Sequence, residues 1–129
     1  MFTKEERAGF KYTFAHWCAF QMTALNMGVW KFKYLFHDIE KPWLKLFLKD
    51  YSKVQKWHRT HNNHHLEYRG GVNKIDCEAL IIDWECSHLT KIKSKNRCRE
   101  EVYNKINNGH PKSNFLKEKI IPLLDKLNL

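Results

Sequence analysis

Residues 73–92, NKIDCEALIIDWECSHLTKI, are the stretch of the chain that decides its fold class. The stretch contains neither glycine nor proline, and Asn73 or Asp76 supplies an N-cap, so it predicts a strong helix. Asp83 interrupts the apolar run of this helix, with small side chains beside it in helical projection. A carboxylate in such surroundings needs a partner, which is either a buried tryptophan or lysine or a metal ion.

The composition of the whole chain points to the same class. The 129 residues include only 5 glycines and 3 prolines, and runs of β-branched residues are few. Long segments without helix breakers favour helices, and 43% apolar residues are more than a disordered chain carries. We therefore expect an all-α protein, with residues 1–129 folded as one domain of six or seven helices.

The helical pattern continues on both sides of the opening stretch. Expected helices cover residues 3–28, 29–38, 42–51, 52–69, 73–92, 96–109 and 113–129. Thr3 and Glu6 form a capping-box pattern in the first helix, and Pro122 should kink or interrupt the last one. The segment 29–38 is too apolar for a surface helix, so we expect it to be buried. Four tryptophans are expected in the core: Trp17, Trp30, Trp43 and Trp84.

The charge of the chain bears on its partners. Lysine and arginine number 23 against 14 aspartates and glutamates, which gives a net charge of +9. This balance favours an anionic partner, either a phosphorylated small molecule or nucleotide, or nucleic acid. The lysines are spread along the chain rather than clustered, so the charge is only weak evidence for nucleic-acid binding. Apolar runs are too short to span a bilayer and the N-terminus lacks a signal-peptide pattern, so we expect a cytoplasmic monomer or homodimer without a membrane partner.

Four of the eight histidines stand within residues 57–71, WHRTHNNHHLEYRGG. If residues 54–68 are helical, with about 100° per residue, one arc of the helix holds Val54, Trp57, His58, His61, His65 and Tyr68. His64 lies at the margin of this arc, and Arg59 lies outside it. Inward histidines need partners for their ring nitrogens, and a metal ion bound by neutral imidazoles would meet that need.

A second candidate site lies in residues 36–43, FHDIEKPW. Adjacent His37 and Asp38 offer one nitrogen and one oxygen ligand in a strongly apolar context, where an uncompensated carboxylate is costly. The dipeptide His-Asp is common by chance, so it is evidence for a metal site only as part of a longer series of possible ligands. That series is His16, His37, Asp38, His58, His61, His64, His65 and Asp83.

This order resembles the H…HD…D pattern of the HD superfamily, which comprises all-helical metal-dependent phosphohydrolases. HDIEK at residues 37–41 is similar to the HDIGK of that superfamily, and HHLEYRGG at 64–71 resembles the HHERxDGxG of its HD-GYP branch. A closer resemblance is to small uncharacterised bacterial and phage proteins with HD-like features. Their motifs HD..K, H..H…HHxEY and E….DW match residues 37–41, 58–68 and 78–84, and the resemblance covers roughly residues 10–125.

The resemblance implies an HD-domain-like helical bundle that binds one or two divalent transition metals. The candidates are Mn, Fe, Zn, Ni and Co, with Mg in addition. The ligands it implies are the core set His16, His37, Asp38 and Asp83, and the second-metal candidates His61, His64 and His65. Helical projection ranks His61 and His65 above His64, whereas a helix that ends at the adjacent pair would favour His64.

The resemblance also implies an activity, which is hydrolysis of a nucleotide-like phosphomonoester or phosphodiester by metal-activated water. The catalytic residues would be Asp38, Lys41 and Asp83, with Lys41 near the substrate phosphate. Arg59 and Arg69 are further candidates for neutralising phosphate charge. Such an enzyme would act in the cytoplasm of a bacterial cell or a phage-infected host cell.

Two alternatives stay open. Mixed-valent di-iron oxygenases of the HD superfamily, which cleave C–C or C–P bonds, use a ligand set that fits this chain equally well. A non-catalytic binding protein on the same scaffold is the other alternative. Glu40 replaces the small residue usual in the superfamily, and the YP ending of the HD-GYP segment is absent, so we do not expect recognition of cyclic di-guanylate.

Overall fold

The computed structural model describes residues 9–90 and 97–129, and every regular element within those ranges is helical. The first five α-helices are α1 (Phe10–Asn26), α2 (Lys41–Leu48), α3 (Tyr51–His61), α4 (Cys77–Cys86) and α5 (Cys98–Asn107). Short 3-10 helices occupy Phe32–Phe36, Val72–Lys74 and Ser87–Leu89. The prediction of an all-α protein is confirmed. Over the described ranges, none of the helices has the length and apolar character needed to traverse a bilayer.

The last helix, α6, is built from three consecutive segments. Ser113–Phe115 and Ile121–Lys126 are α-helical, and the π-helical turn Leu116–Ile120 joins them. Pro122 has no N–H and its ring would clash with a carbonyl one turn earlier, so the wider turn before it accommodates the ring. The predicted interruption at Pro122 is therefore confirmed.

Helix α4 lies at the centre of the fold, where it packs along α1. Ile82 of α4 and Phe20 of α1 belong to one buried cluster, while Leu80 belongs to a second cluster shared with α5 and α6. The predicted cap is present, because the Asp76 side chain accepts a hydrogen bond from the Ala79 backbone N–H at 3.1 Å. Because α4 packs against apolar side chains on two sides, its polar side chains that face α1 are buried too.

Helix α3 ends earlier than the sequence indicated. It stops at His61, because Asn62 adopts an extended conformation and its side-chain amide donates a hydrogen bond to the His58 carbonyl at 2.8 Å. Residues 62–71 then form turns, held by a 2.9 Å hydrogen bond from the Arg69 backbone N–H to the Thr60 carbonyl. The prediction of a helix through residue 69 is wrong, and the adjacent histidines 64 and 65 lie in a loop.

Several aromatic side chains expected inside the protein lie on its surface. In the segment 29–38 Tyr34 is buried, but Phe32 and Phe36 are 70% and 60% exposed. Trp43 is 58% exposed and Trp30 is also exposed. Trp17 and Trp84 are half-buried. The expected burial of this segment and of these tryptophans is therefore wrong in large part. The predicted capping box at the N-terminus lies outside the described residues.

Candidate metal centre

Seven ionisable side chains from five parts of the fold converge in the interior. They are His16 on α1, His37 and Asp38 before α2, His58 on α3, His64 and His65 in the following loop, and Asp83 on α4. We call this set the histidine–aspartate cluster. All of its members are buried except His65, which is half-buried. The core set expected from the sequence is thus brought together in three dimensions.

The backbone before α2 turns His37 and Asp38 toward the same point. Adjacent side chains in an extended chain point to opposite sides. Asp38 instead has a φ of 56°, in the left-handed region that a non-glycine residue rarely adopts and that aspartate tolerates better than most. The His37 ring packs flat on Phe20, with 3.7 Å between ring centroids. Conformations of this kind concentrate at functional sites, where the surrounding structure holds them in place.

The first group of potential ligands, which we call site 1, contains two carboxylates and two imidazoles: His16, His37, Asp38 and Asp83. Asp83 Oδ1 lies 2.9 Å from His16 Nε2 and 3.1 Å from His37 Nε2. The two Nε2 atoms lie 3.0 Å apart, and one proton at most can sit between them. One ligand atom from each residue falls within 4.8 Å of all the others. Four ligand atoms this close together could hold a single cation.

The second group, which we call site 2, contains one carboxylate and three imidazoles: Asp38, His58, His64 and His65. Asp38 Oδ1 lies 3.0 Å from His58 Nε2 and 3.1 Å from His64 Nε2. None of these three atoms, nor His65 Nε2, makes a hydrogen bond of acceptable geometry with the described residues, and all four are buried. Asp38 Oδ1 is within ion-pair distance of two of these imidazoles, and this contact is favourable only with a proton or a metal cation on the ring nitrogen, so the convergence favours a positive charge between them.

Asp38 belongs to both sites through different oxygens. Its Oδ2 faces site 1, at 3.4 Å from His16 Nε2 and 3.3 Å from His37 Nε2. Its Oδ1 faces site 2. A carboxylate with this placement can bridge two cations, and no other side chain is common to the two groups among the described residues.

The pKa values of four cluster members suit metal ligation, whereas the burial of His16 is outweighed by neighbouring charges and hydrogen bonds, which raise its pKa well above its usual range. Burial alone would raise the pKa of the Asp38 and Asp83 carboxyls, but the charges and hydrogen bonds of neighbouring imidazoles hold both pKa values well below their usual range. Burial lowers the pKa of His37 to about 4. Burial, with the charge of His64, also holds the pKa of His65 well below its usual range. Ionised carboxylates and neutral imidazoles are the forms that bind metals.

His58 is oriented from behind by a carboxylate outside the cluster. Glu40 Oε1 lies 2.5 Å from His58 Nδ1, and the Asn62 amide donates to the same oxygen at 3.1 Å. With its Nδ1–H donated to Glu40, the ring presents Nε2 to Asp38. Burial tends to lower the pKa of His58, but the negative charges of Asp38 and Glu40 outweigh it and raise the pKa to about 9. A cation at Nε2 would replace the proton held there.

His61 is the one predicted ligand that the structure does not bring to the cluster. Its ring stacks on Trp57, with 4.0 Å between centroids, and its Nδ1 lies 2.9 Å from the Trp57 carbonyl oxygen. The preference for His61 is corrected, since α3 ends at this residue and its ring turns back along the helix. His58 takes the expected place. The sequence feature that could have identified His58 as a ligand is its position on the same inward arc of the helix as Val54.

The predicted phosphate-binding residues have different surroundings. Lys41 is buried, its Nζ lies 5.4 Å from the centroid of the Tyr12 ring, and its charge acts on His58. Arg59 and Arg69 are exposed, and in residues 9–90 and 97–129 no contact joins either guanidinium to the cluster. Lys41 therefore lies near site 2, while the two arginines do not.

The chain matches no protein-family model, and neither a curated protein nor a solved structure is detectably similar to it. The geometry of the cluster is thus the principal guide to its chemistry.

Proposed function

We propose that the chain is an HD-type metal-dependent phosphohydrolase that acts on a nucleotide-like phosphomonoester or phosphodiester. The observation that carries the proposal is the division of the Asp38 carboxylate between two ligand groups. The order of ligands along the chain supports it, because His16, the adjacent His37 and Asp38, and the later Asp83 resemble the H…HD…D series of the superfamily.

The residues of the cluster fit one or two divalent transition metals. Site 1 offers two imidazoles and two carboxylates, and site 2 offers three imidazoles and one carboxylate. Such mixed nitrogen and oxygen sets suit Mn, Fe, Zn, Ni or Co, while Mg would favour the more oxygen-rich site 1. When bound, the metals would polarise a phosphoryl oxygen and lower the pKa of a bound water.

The remaining chemistry belongs to side chains of the chain itself. Asp38 and Asp83 would hold the cations, and Lys41 contributes positive charge beside site 2, where it would offset the charge of a phosphoryl group. Because Arg59 and Arg69 are exposed, they would contact only a part of the substrate that extends beyond the cluster. The net charge of +9 favours the approach of an anionic substrate.

Hydrolysis of p-nitrophenyl phosphate and bis(p-nitrophenyl) phosphate with added Mn²⁺ tests this proposal. The wild-type protein should release p-nitrophenol from at least one of them, Asp38→Asn should reduce the rate to background, and His61→Ala should retain it. Activity that survives Asp38→Asn, or wild-type protein that is inactive with every candidate metal bound, would contradict the proposal.

The composition of site 2 favours one second candidate, a di-iron oxygenase of the HD type. Three imidazoles with one carboxylate resemble the ligands of non-haem iron centres more than those of a magnesium enzyme. Anaerobic purification with iron, followed by electron paramagnetic resonance, separates the two candidates. A mixed-valent di-iron signal together with oxygen consumption would favour the oxygenase. Metal binding without either activity would favour a non-catalytic binding protein.

A further inference from the structure

A group of large apolar side chains lies exposed on three parts of the chain. They come from the start of α1, the turn before α2, and α2 itself: Phe10, Phe14, Ile39, Trp43, Leu46 and Phe47. We call this group the apolar face. Its members are between 47% and 83% exposed, with Phe47 the most exposed. Single exposed apolar residues are ordinary, but a contiguous set of this size marks an interaction surface.

Contacts between α1 and α2 make the face continuous. The Phe10 ring meets the Trp43 ring edge-on, with 5.6 Å between centroids. Two open grooves of about 440 and 350 Å³ share Phe10 and Pro42 in their walls. Leu46 lines the first groove and Ile39 the second. Phe47 follows Trp43 by one helical turn.

Among the described residues, the charged side chains that line the apolar face are lysines. Lys45 and Lys49 line the first groove, and Lys11 is exposed on α1. Over the described residues none of these three lysines forms an ion pair. The only acids in residues 9–49 are Asp38 and Glu40, which belong to the cluster and to His58 respectively. The face is therefore apolar and cationic.

Neighbouring acids offset this positive potential only in part. Lys31 and Lys33, farther along the same stretch, pair with Glu78 and Asp76 at the start of α4, so those acids are already engaged. The next acid after α2 is Asp50, which caps α3 by accepting a hydrogen bond from the Ser52 backbone N–H at 2.9 Å.

The sequence alone predicts no membrane partner, but from its exposure we propose that the apolar face binds the surface of a membrane that contains anionic lipids. Phenylalanine, tryptophan and leucine at the headgroup boundary bury apolar area, and flanking lysines are attracted to anionic headgroups. Phe47, the most exposed member, lines neither groove and projects from the surface, which suits insertion between lipids. Phe14 forms part of the wall of the second groove. A second copy of the chain would bring lysines against lysines. The proposal does not depend on the chemistry of the cluster.

Flotation of the full chain with large unilamellar vesicles tests the proposal. One set contains phosphatidylcholine alone, and the other contains phosphatidylcholine with phosphatidylglycerol. Each lysine near an anionic surface raises affinity roughly fivefold, so three lysines predict roughly a hundredfold preference for the mixed vesicles. This preference should fall as the salt concentration rises.

Matched substitutions separate specific docking from general attraction. Phe47→Ser should weaken binding by roughly tenfold or more. Phe32→Ser removes another strongly exposed phenylalanine, 70% against the 83% of Phe47, that lies outside the face, and should have little effect. Lys45→Glu with Lys49→Glu should weaken binding by roughly 25-fold or more. Lys117→Glu with Lys126→Glu changes the net charge equally on exposed positions of α6, and should weaken binding much less.

Four outcomes would overturn the proposal. The first is a wild-type protein that does not float with the mixed vesicles. The second is equal binding to both vesicle sets, which would remove the role of the lysines. The third is equal loss with the face and control lysine pairs, which would indicate non-specific attraction. The fourth is a lipid-free wild-type dimer that Phe47→Ser converts to a monomer in sedimentation velocity, which would place a second copy on the face.

Discussion

The histidine–aspartate cluster and the apolar face depart from ordinary protein architecture in opposite ways. The cluster buries ionisable side chains, whereas the apolar face exposes phenylalanine and tryptophan to water. The two regions meet along the chain, because Phe14 of the face and His16 of the cluster lie on α1, and Asp38 of the cluster directly precedes Ile39 of the face. Neither placement is what folding alone favours. The difference indicates that each region is suited to something outside the chain, a cation in one and an apolar partner in the other.

Removal of Asp38 should have the largest effect, because it is the carboxylate common to both sites. Asp38→Ala leaves five imidazoles and one carboxylate, so we expect bound metal to fall to background, measured by inductively coupled plasma mass spectrometry. Phosphoesterase activity should disappear with it. Full metal content in Asp38→Ala would show that the two groups do not depend on one carboxylate.

The next effect distinguishes the two sites from each other. His58→Ala should lower the metal content from two ions per chain toward one, because His58 contributes to site 2 and not to site 1. His61→Ala removes a neighbouring imidazole of α3 that lies outside both sites, and should leave the metal content unchanged. An equal loss of bound metal in the two variants would contradict the division of the cluster into site 1 and site 2.

A smaller effect is expected from the carboxylate behind His58. Glu40→Ala removes the acceptor of the Nδ1–H, so metal affinity at site 2 should fall by roughly 10- to 100-fold. Glu40→Gln keeps an acceptor oxygen at this position and should recover most of the affinity. Competition titration with a chromophoric chelator measures both variants. If Glu40→Gln were as impaired as Glu40→Ala, the orienting hydrogen bond would not be the cause.

The smallest effect is predicted for stability at the apolar face. Phe47→Ser should change the free energy of unfolding by no more than about 0.5 kcal/mol, because this side chain has few contacts to lose. Phe20→Ala, at a fully buried phenylalanine that supports His37, should cost about 3–5 kcal/mol. Urea denaturation measures both. A large loss in Phe47→Ser would mean that the face is part of the core.

Much of the fold was open to prediction from local patterns. Apolar spacing and the absence of breakers indicate α1 and α4, and Asp76 and Pro122 mark a helix start and an interruption through their own backbone chemistry. The end of α3 was not predictable in this way. It depends on Asn62, whose amide reaches both the His58 carbonyl and Glu40, a residue 22 positions earlier.

The candidate site was predictable in composition but not in detail. The order of His16, His37, Asp38 and Asp83 along the chain, through its resemblance to the HD series, indicated which side chains would meet. The choice among His61, His64 and His65 required the end of the helix. The apolar face was not predictable, because helical spacing identifies an apolar side of a helix without showing whether another element covers it. Trp43 therefore looked like a core residue and is exposed.

Metal content of the wild-type protein, purified without chelator under anaerobic conditions, tests the central claim most directly. Two sites that share Asp38 predict a content approaching two ions per chain. They also predict a melting temperature that falls on treatment with chelator, because a cation bound only by the folded state stabilises it. Absence of metal at any stoichiometry, together with a melting temperature that chelator and added metal leave unchanged, would contradict the claim.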